Sequence, residues 1–235
     1  GYFWAGAGSS GKVVQTTQTI STNTWQHIAL CRESNTWNTY YNGTRVDTRT
    51  ISNTLHSSTE PIYIGSYFGT SGNEIQGYID ELRVSKVARY TGTSFTVPTA
   101  PFSNDDDTLQ LLHMDGTDGG TFFQDDNGEG RTAVGMQAVG NTHTSTDQSK
   151  FGNTSIEFDG TGDYLNIPAT AGGVDNPVMG LTGDYTLECW ARFDNVSSGT
   201  HGLIGSEDTS PYHSLQQGSG TISWQTPYLT QSGIS

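Results

Sequence analysis

Gln76-Gly77-Tyr78-Ile79-Asp80-Glu81-Leu82-Arg83-Val84-Ser85 reads as a single β-strand with an acidic pair at its centre. At the two-residue repeat of a strand, Ile79, Glu81 and Arg83 share one face, and Tyr78, Asp80, Leu82 and Val84 share the other. Asp80 and Glu81 are therefore expected on opposite faces. Charges mixed with apolar residues on both sides do not suit a simple half-buried strand. Each buried charge needs an ion-pair or hydrogen-bond partner, or a place at the rim. After this strand come Lys86-Val87-Ala88-Arg89-Tyr90, a Thr/Pro-rich run to Phe102, and the acidic Asp105-Asp106-Asp107. The pattern is that of a domain end, yet it falls in the middle of the chain.

Working outward, Trp25 to Arg32 has apolar residues on both faces (Trp25, His27, Ala29 and Cys31 against Ile28 and Leu30), as in a central strand of a packed sheet. Asn42-Gly43, between Trp37–Tyr41 and Thr44–Ile51, is a strong hairpin signal, because a type I′ turn needs positive φ at both central residues. Ile62-Tyr63-Ile64-Gly65-Ser66 is a short apolar strand. The pattern restarts after Pro98 and Pro101 with Leu109 to Met114, then Ser155 to Phe158 and Asp163 to Ile167. In Asp184 to Phe193, Tyr185, Leu187, Cys189, Ala191 and Phe193 alternate strictly onto one face. Further strands are expected at 12–20, 203–205, 212–216 and 221–224. Ser85–Arg89, the only helical candidate, is too short to stand alone. About a dozen short strands with regular turns indicate a β-sandwich.

Composition agrees. Of 235 residues, 32% are hydrophobic and 14% charged, with 30 Gly. Recurring short apolar and aromatic runs exclude disorder. A net charge of −14 with only ten Lys and Arg argues against nucleic acid or an anionic membrane surface as partner. No apolar run reaches transmembrane length. The chain lacks an initiator Met, so a fragment or a processed product is expected. The two cysteines, Cys31 and Cys189, exclude a Cys-x-x-Cys motif and a typical zinc site. Two buried thiols are favoured over a single disulfide.

Trp25-Gln26-His27-Ile28-Ala29-Leu30-x-Arg32, Tyr40-Tyr41-Asn42-Gly43, Ile62-Tyr63-Ile64-Gly65 and Gly77 to Ser85 resemble the second half of a laminin-G-like (concanavalin A-like lectin/glucanase) jelly roll. Leu111 to Gly116, Ser149-Lys150-Phe151-Gly152, Phe158 to Leu165 and Thr186 to Trp190 resemble the first half. The resemblance implies an all-β jelly-roll sandwich split between two domains. Residues 1–102 would be the end of one sandwich and 103–235 the start of the next. Three arrangements would account for the reversed order: a window on a tandem-repeat polypeptide, a circular permutant, or subunits that complete one another by exchanging strands. The repeat window is favoured.

The same resemblance implies an extracellular or virion-surface module of a fibre or adhesin, without catalysis. Its expected partners are copies of itself and cell-surface glycans. The alternatives are a filament subunit that polymerises head to tail and an accessory domain of a polysaccharide-degrading enzyme. Retaining glycosidases hold two carboxylates roughly 5 Å apart. Hydrolases of this fold carry them as Glu-x-Asp-x-x-Glu, a spacing absent here. His27 and His113 are expected as core histidines with both nitrogens satisfied. Calcium at the sandwich rim is implied, with Asp80, Asp115, Asp159 and Asp163 as candidate ligands; the competing reading is turn chemistry. Tyr2, Trp4, Tyr67, Trp224 and Tyr228, beside Gly/Ser/Pro turns, are candidate glycan-binding or interface aromatics.

Overall fold

A computed structural model describes residues 11–50, 61–67, 69, 72–127, 136–168, 170–171, 174–175, 183–196, 200–206, 214–218 and 220–226. In chain order the strands are β1 (Gly11–Thr19), β2 (Trp25–Glu33), β3 (Thr36–Tyr41), β4 (Thr44–Thr50), β5 (Ile62–Ile64), β6 (Gln76–Ser85), β7 (Thr108–Leu112), β8 (Gln137–Val139), β9 (His143–Ser145), β10 (Ser155–Asp159), β11 (Tyr164–Ile167), β12 (Thr170–Ala171), β13 (Val174–Asp175), β14 (Tyr185–Asn195), β15 (Thr200–Ser206), β16 (Ser214–Gly218) and β17 (Thr221–Thr226). One sheet has seven strands in the order β1-β17-β16-β15-β5-β11-β8. The other has eight: β4-β3-β2-β14-β6-β10-β9, with β7 also paired to β6. β12 and β13 form a separate two-stranded piece.

The alternation along β14 does what its sequence requires. Tyr185, Leu187, Cys189, Ala191 and Phe193 all enter the main core between the sheets. There they meet Ile28 and Leu30 of β2, Ile62 and Ile64 of β5, and Leu165 and Ile167 of β11. Cys31 lies outside that core, with Ala29 and Tyr40. The two cysteines thus occupy opposite faces of adjacent strands, and both are free thiols. Burial pushes each thiol up to about 12.

The domain division at residue 102 does not survive in the described residues. β14 pairs along β2 on one side and along β6 on the other. β10 and β7 pair with β6, and β11 pairs with β5. Each part of the chain leaves open strand edges that the other fills, so both sheets draw on both parts and close around one shared core.

β6 departs from strict alternation. Its pairing with β14 slips between Arg83↔Glu188 and Asp80↔Trp190, and Glu81 has φ +53°. This is a β-bulge, which shifts the side-chain phase by one residue. Ile79 and Leu82 both enter the core as a result. Asp80 and Glu81 lie between them, and both bond to segments outside the core, so they are not on opposite faces. The bulge also divides the far edge of β6. Gln76–Ile79 pair with β10, and Leu82–Ser85 pair with β7.

Residues 86–107, which resemble a domain end in sequence, form a strap across the outer face of the eight-stranded sheet. Asn42 and Gly43 have φ +46° and +77°, as the hairpin turn demands. The strap docks on that turn: Phe95 N–H donates to Gly43 O at 2.8 Å, and Arg45 N–H to Thr93 O at 2.9 Å. A Cβ at position 43 would run into the Phe95 carbonyl oxygen. The Tyr40 hydroxyl donates to the carbonyls of Tyr90 and Gly92. At the neck, Lys86 N–H donates to Asp107 O, and the Arg89 guanidinium grips Asp105 through two bonds of 2.9 and 2.7 Å. That grip holds the Asp105 carboxyl well below the usual range.

Candidate functional site

The outer face of the eight-stranded sheet has a roofed end and an open end. Beneath the roof, Glu188 of β14 accepts from four donors: His27 Nε2 of β2 at 3.1 Å, Arg83 Nε and Nη2 of β6 at 2.9 and 2.7 Å, and the Tyr90 hydroxyl of the strap at 2.8 Å. Glu188 and His27 side chains are 0% exposed. Burial alone would raise the Glu188 carboxyl. The His27 bond, the Arg83 charge and the Tyr90 hydroxyl outweigh it and hold the group below its usual value. The imidazole of His27 stands edge-on to Tyr90, Phe95, Phe102 and Trp190. Its Nδ1 has no partner among the described residues, so the expectation of two satisfied nitrogens holds there for Nε2 alone. Such an enclosed network orients the sheet and the strap; substrate has no route to it.

The acid pair at the bulge is likewise committed. Glu81 accepts from Phe102 N–H at 2.7 Å and pairs with His113 Nδ1 at 2.8 Å. The Glu81 bond raises His113 above its usual value, against the opposing effect of partial burial. Asp80 accepts from Lys150 and Phe151 N–H at 2.7 and 3.1 Å through one oxygen, and its other oxygen has no partner among the described residues. Burial pushes Asp80 up to about 7, against the lowering effect of those two bonds.

At the open end, register brings five side chains into one row. Trp25 of β2 faces Arg192 of β14, Arg192 faces Tyr78 of β6, Tyr78 faces Glu157 of β10, and Glu157 faces His143 of β9. Four strand spacings make the row about 19 Å long. Arg192 and Glu157 point away from the core because their neighbours point in: Ala191 and Phe193 flank Arg192, and Ile156 and Phe158 flank Glu157. Tyr78 is only 6% exposed, and Trp25 packs on the cluster of Phe102, Leu111 and Trp190. The Arg192 guanidinium lies 5.6 Å from the centre of the Tyr78 ring and is fixed by Asp194 and Asn23. Glu157 and His143 stay partly open, each 26% exposed, at 3.8 Å. Above the row, the Lys150 ammonium sits 4.0 Å from the centre of the Trp190 ring, and Phe151 stands edge-on to Trp190. Burial, then the Glu157, Asp194 and Asp147 charges, push the Tyr78 hydroxyl up to about 12, so it remains a proton donor at neutral pH.

Of the expected calcium ligands, Asp159 and Asp163 meet in one turn. Asp163 is buried and accepts Asn141 and Asp159 N–H, while Asp159 accepts Thr161 N–H. This is turn chemistry. Asp115 is exposed, beside Gly152. Among the described residues no three His, Cys, Asp or Glu side chains are grouped to hold a metal ion. Tyr67 is half-buried in the loop after β5, with its N–H on Asn73 O. Tyr2, Trp4 and Tyr228 lie outside the described residues, as does the side chain of Trp224. The row itself escapes a sequence reading, because its members are separated by up to 167 positions (25 to 192) and only strand order makes them neighbours. The signal available in sequence is a charged residue between two core residues, and in this row only β14 (Arg192) and β10 (Glu157) carry it.

Two antiparallel sheets over one core, with short strands and no helix among the described residues, define a concanavalin A-like jelly-roll β-sandwich. Residues 1–93 match the family model of the concanavalin A-like lectin/glucanases superfamily, which identifies laminin-G-like sequence over that part of the chain. No curated protein and no solved structure matches. The name of that superfamily covers both lectins and glucanases.

Proposed function

We propose that this chain is a non-catalytic carbohydrate-binding module of an extracellular or surface-exposed protein, and that it holds glycan along the open end of the eight-stranded sheet. The row Trp25–Arg192–Tyr78–Glu157–His143 carries the reading. A pyranose has a C–H face and a rim of hydroxyls. Aromatic rings suit the former; Glu157, His143 and Arg192 offer acceptors and donors for the latter. The commitment of the acids argues against hydrolysis: at the row Glu157 is paired with His143 and Asp194 with Arg192. Glu188, Glu81 and Asp80 are buried and bonded within the chain, whereas a glycosidase needs two carboxylates flanking a bound sugar. A glycan array probed with the wild type and with Trp25→Ala tests the proposal. Wild type should retain at least one glycan class, and Trp25→Ala should bind it about tenfold more weakly, the scale of a lost aromatic anchor. Absence of any retained glycan, or release of reducing ends from a bound one, overturns it.

A further inference from the structure

The outer face of the other sheet carries a second cluster of the same chemical kind. Ile62 and Ile64 of β5 enter the core, which turns Tyr63 outward; Leu165 and Ile167 of β11 do the same for Tyr164 and Asn166. Tyr63 and Tyr164 meet edge to face, with ring centres 5.5 Å apart. Tyr63 is flanked by Asn166 on β11 and by Gly205 on β15. Gly205 has no side chain to lie beside the ring. Asn166 in turn faces Gln137 of β8, which is exposed. The loop after β5 borders the cluster: a Cβ on Gly69 would lie 2.7 Å from the Tyr63 ring and 3.4 Å from that of Tyr164. Both rings are half-buried, so each has a fixed body and a reachable edge.

The charge pattern identifies the occupant. The cross-strand row Gln137–Asn166–Tyr63–Gly205 contains no ionisable group other than the phenol. Glu74, the acid in the bordering loop, is buried and accepts Gly72 N–H. The side-chain oxygen of Asn166 is buried beside the rings and has no hydrogen-bond donor among the described residues. Two rings and two amides without a net charge match the C–H faces and hydroxyls of an uncharged sugar. An acidic sugar finds no cation among these residues, in a protein of net charge −14.

We propose that Tyr63, Tyr164, Asn166 and Gln137 form a second glycan site, specific for neutral polysaccharide. It faces away from the Trp25–Arg192 row. The two faces are separated by the whole sandwich, so one molecule holds two glycan chains at once and links them.

Native gels containing a neutral polymer (hydroxyethyl cellulose, galactomannan or dextran) or an acidic one (polygalacturonate) test this. Three variants are compared with wild type: Tyr63→Ala/Tyr164→Ala at the second site, Gln137→Ala at its exposed rim, and Trp25→Ala/Arg192→Ala at the first. The second-site double variant should lose retardation by the neutral polymer, while the Trp25→Ala/Arg192→Ala variant keeps it. Gln137→Ala, which removes only an exposed amide, should weaken retardation even if the double variant fails to fold. Unchanged retardation of both Gln137→Ala and the tyrosine variant overturns the second site. So does a wild type that no neutral polymer retards. Retardation that only the Trp25→Ala/Arg192→Ala variant loses leaves the first site standing and removes the second; no retardation in any gel removes both.

Discussion

One sheet face is built in two ways. At its roofed end, Glu188, Arg83, His27 and Tyr90 are enclosed and bonded to one another. At its open end, Arg192, Glu157 and His143 form looser pairs at the surface. Both ends lie on the same strands, only a few residues apart. What separates them is the strap of residues 86–107. Under it, a charge whose partner is removed has no water to turn to. Beyond it, solvent takes over at small cost.

The sharpest test of that difference compares two arginines. Arg83→Ala leaves Glu188 charged, buried and short of its cation, and should destabilise by about 3–5 kcal/mol in urea unfolding. Arg192→Ala should cost about 1 kcal/mol or less, since Asp194 and Asn23 can be hydrated. Equal losses would erase the distinction between the two ends.

Next in size is a pair of carboxylates with opposite pH behaviour. Glu188 has a folded pKa below its unfolded value of 4.5, so its contribution is present above that pH and is lost as pH falls through the folded value. Asp80 is raised from 3.8 to about 7. It favours the folded state below pH 4 and gives up that advantage as pH rises through 7. Asp80→Asn keeps an oxygen for the Lys150 and Phe151 N–H groups and removes the buried charge. The variant should gain up to about 4 kcal/mol at pH 8, and the gain should fade toward pH 4. A loss at pH 8 would mean that the two backbone bonds depend on the charge.

The attachments of the strap rank below these. Gly43→Ala combines a left-handed φ with a collision at the Phe95 carbonyl. It should cost about 2 kcal/mol and raise amide exchange across residues 86–107. Asp105→Asn loosens the half-exposed Arg89 grip at the neck and should cost no more than about 1 kcal/mol. A larger effect would show that the neck, rather than the hairpin turn, holds the roof in place.

Much of the fold is legible in the sequence, because local rules act there. The alternation of β14 and the Asn42-Gly43 turn appear where expected, and the two apolar faces of Trp25–Arg32 become β2, whose outer side lies under the strap. Two failures have physical causes. The alternation of β6 breaks at a bulge, and nothing in Ile79-Asp80-Glu81-Leu82 announces a left-handed Glu81. The residues after Ser85 resemble a domain end because they are polar and Pro-rich, yet Tyr90, Phe95 and Phe102 among them roof the sheet. Candidate site residues were hardest to read. Asp159 and Asp163 sit in a metal-like Asp/Gly turn and spend their oxygens on the turn itself. The Trp25 row depends on strand order, which local pattern does not encode.

The place of β14 sets the timetable for assembly. It fills the slot between β2 and β6, and His27 waits 161 residues for Glu188. During synthesis, β2, β3, β4 and β6 leave the ribosome well before the strand that joins them. Until then they present a greasy side and raw edges to their surroundings. Such distant pairing makes for slow folding. The nascent chain should therefore hold on to chaperones until roughly residue 195 has emerged, and expression slowed by cold should favour the soluble product.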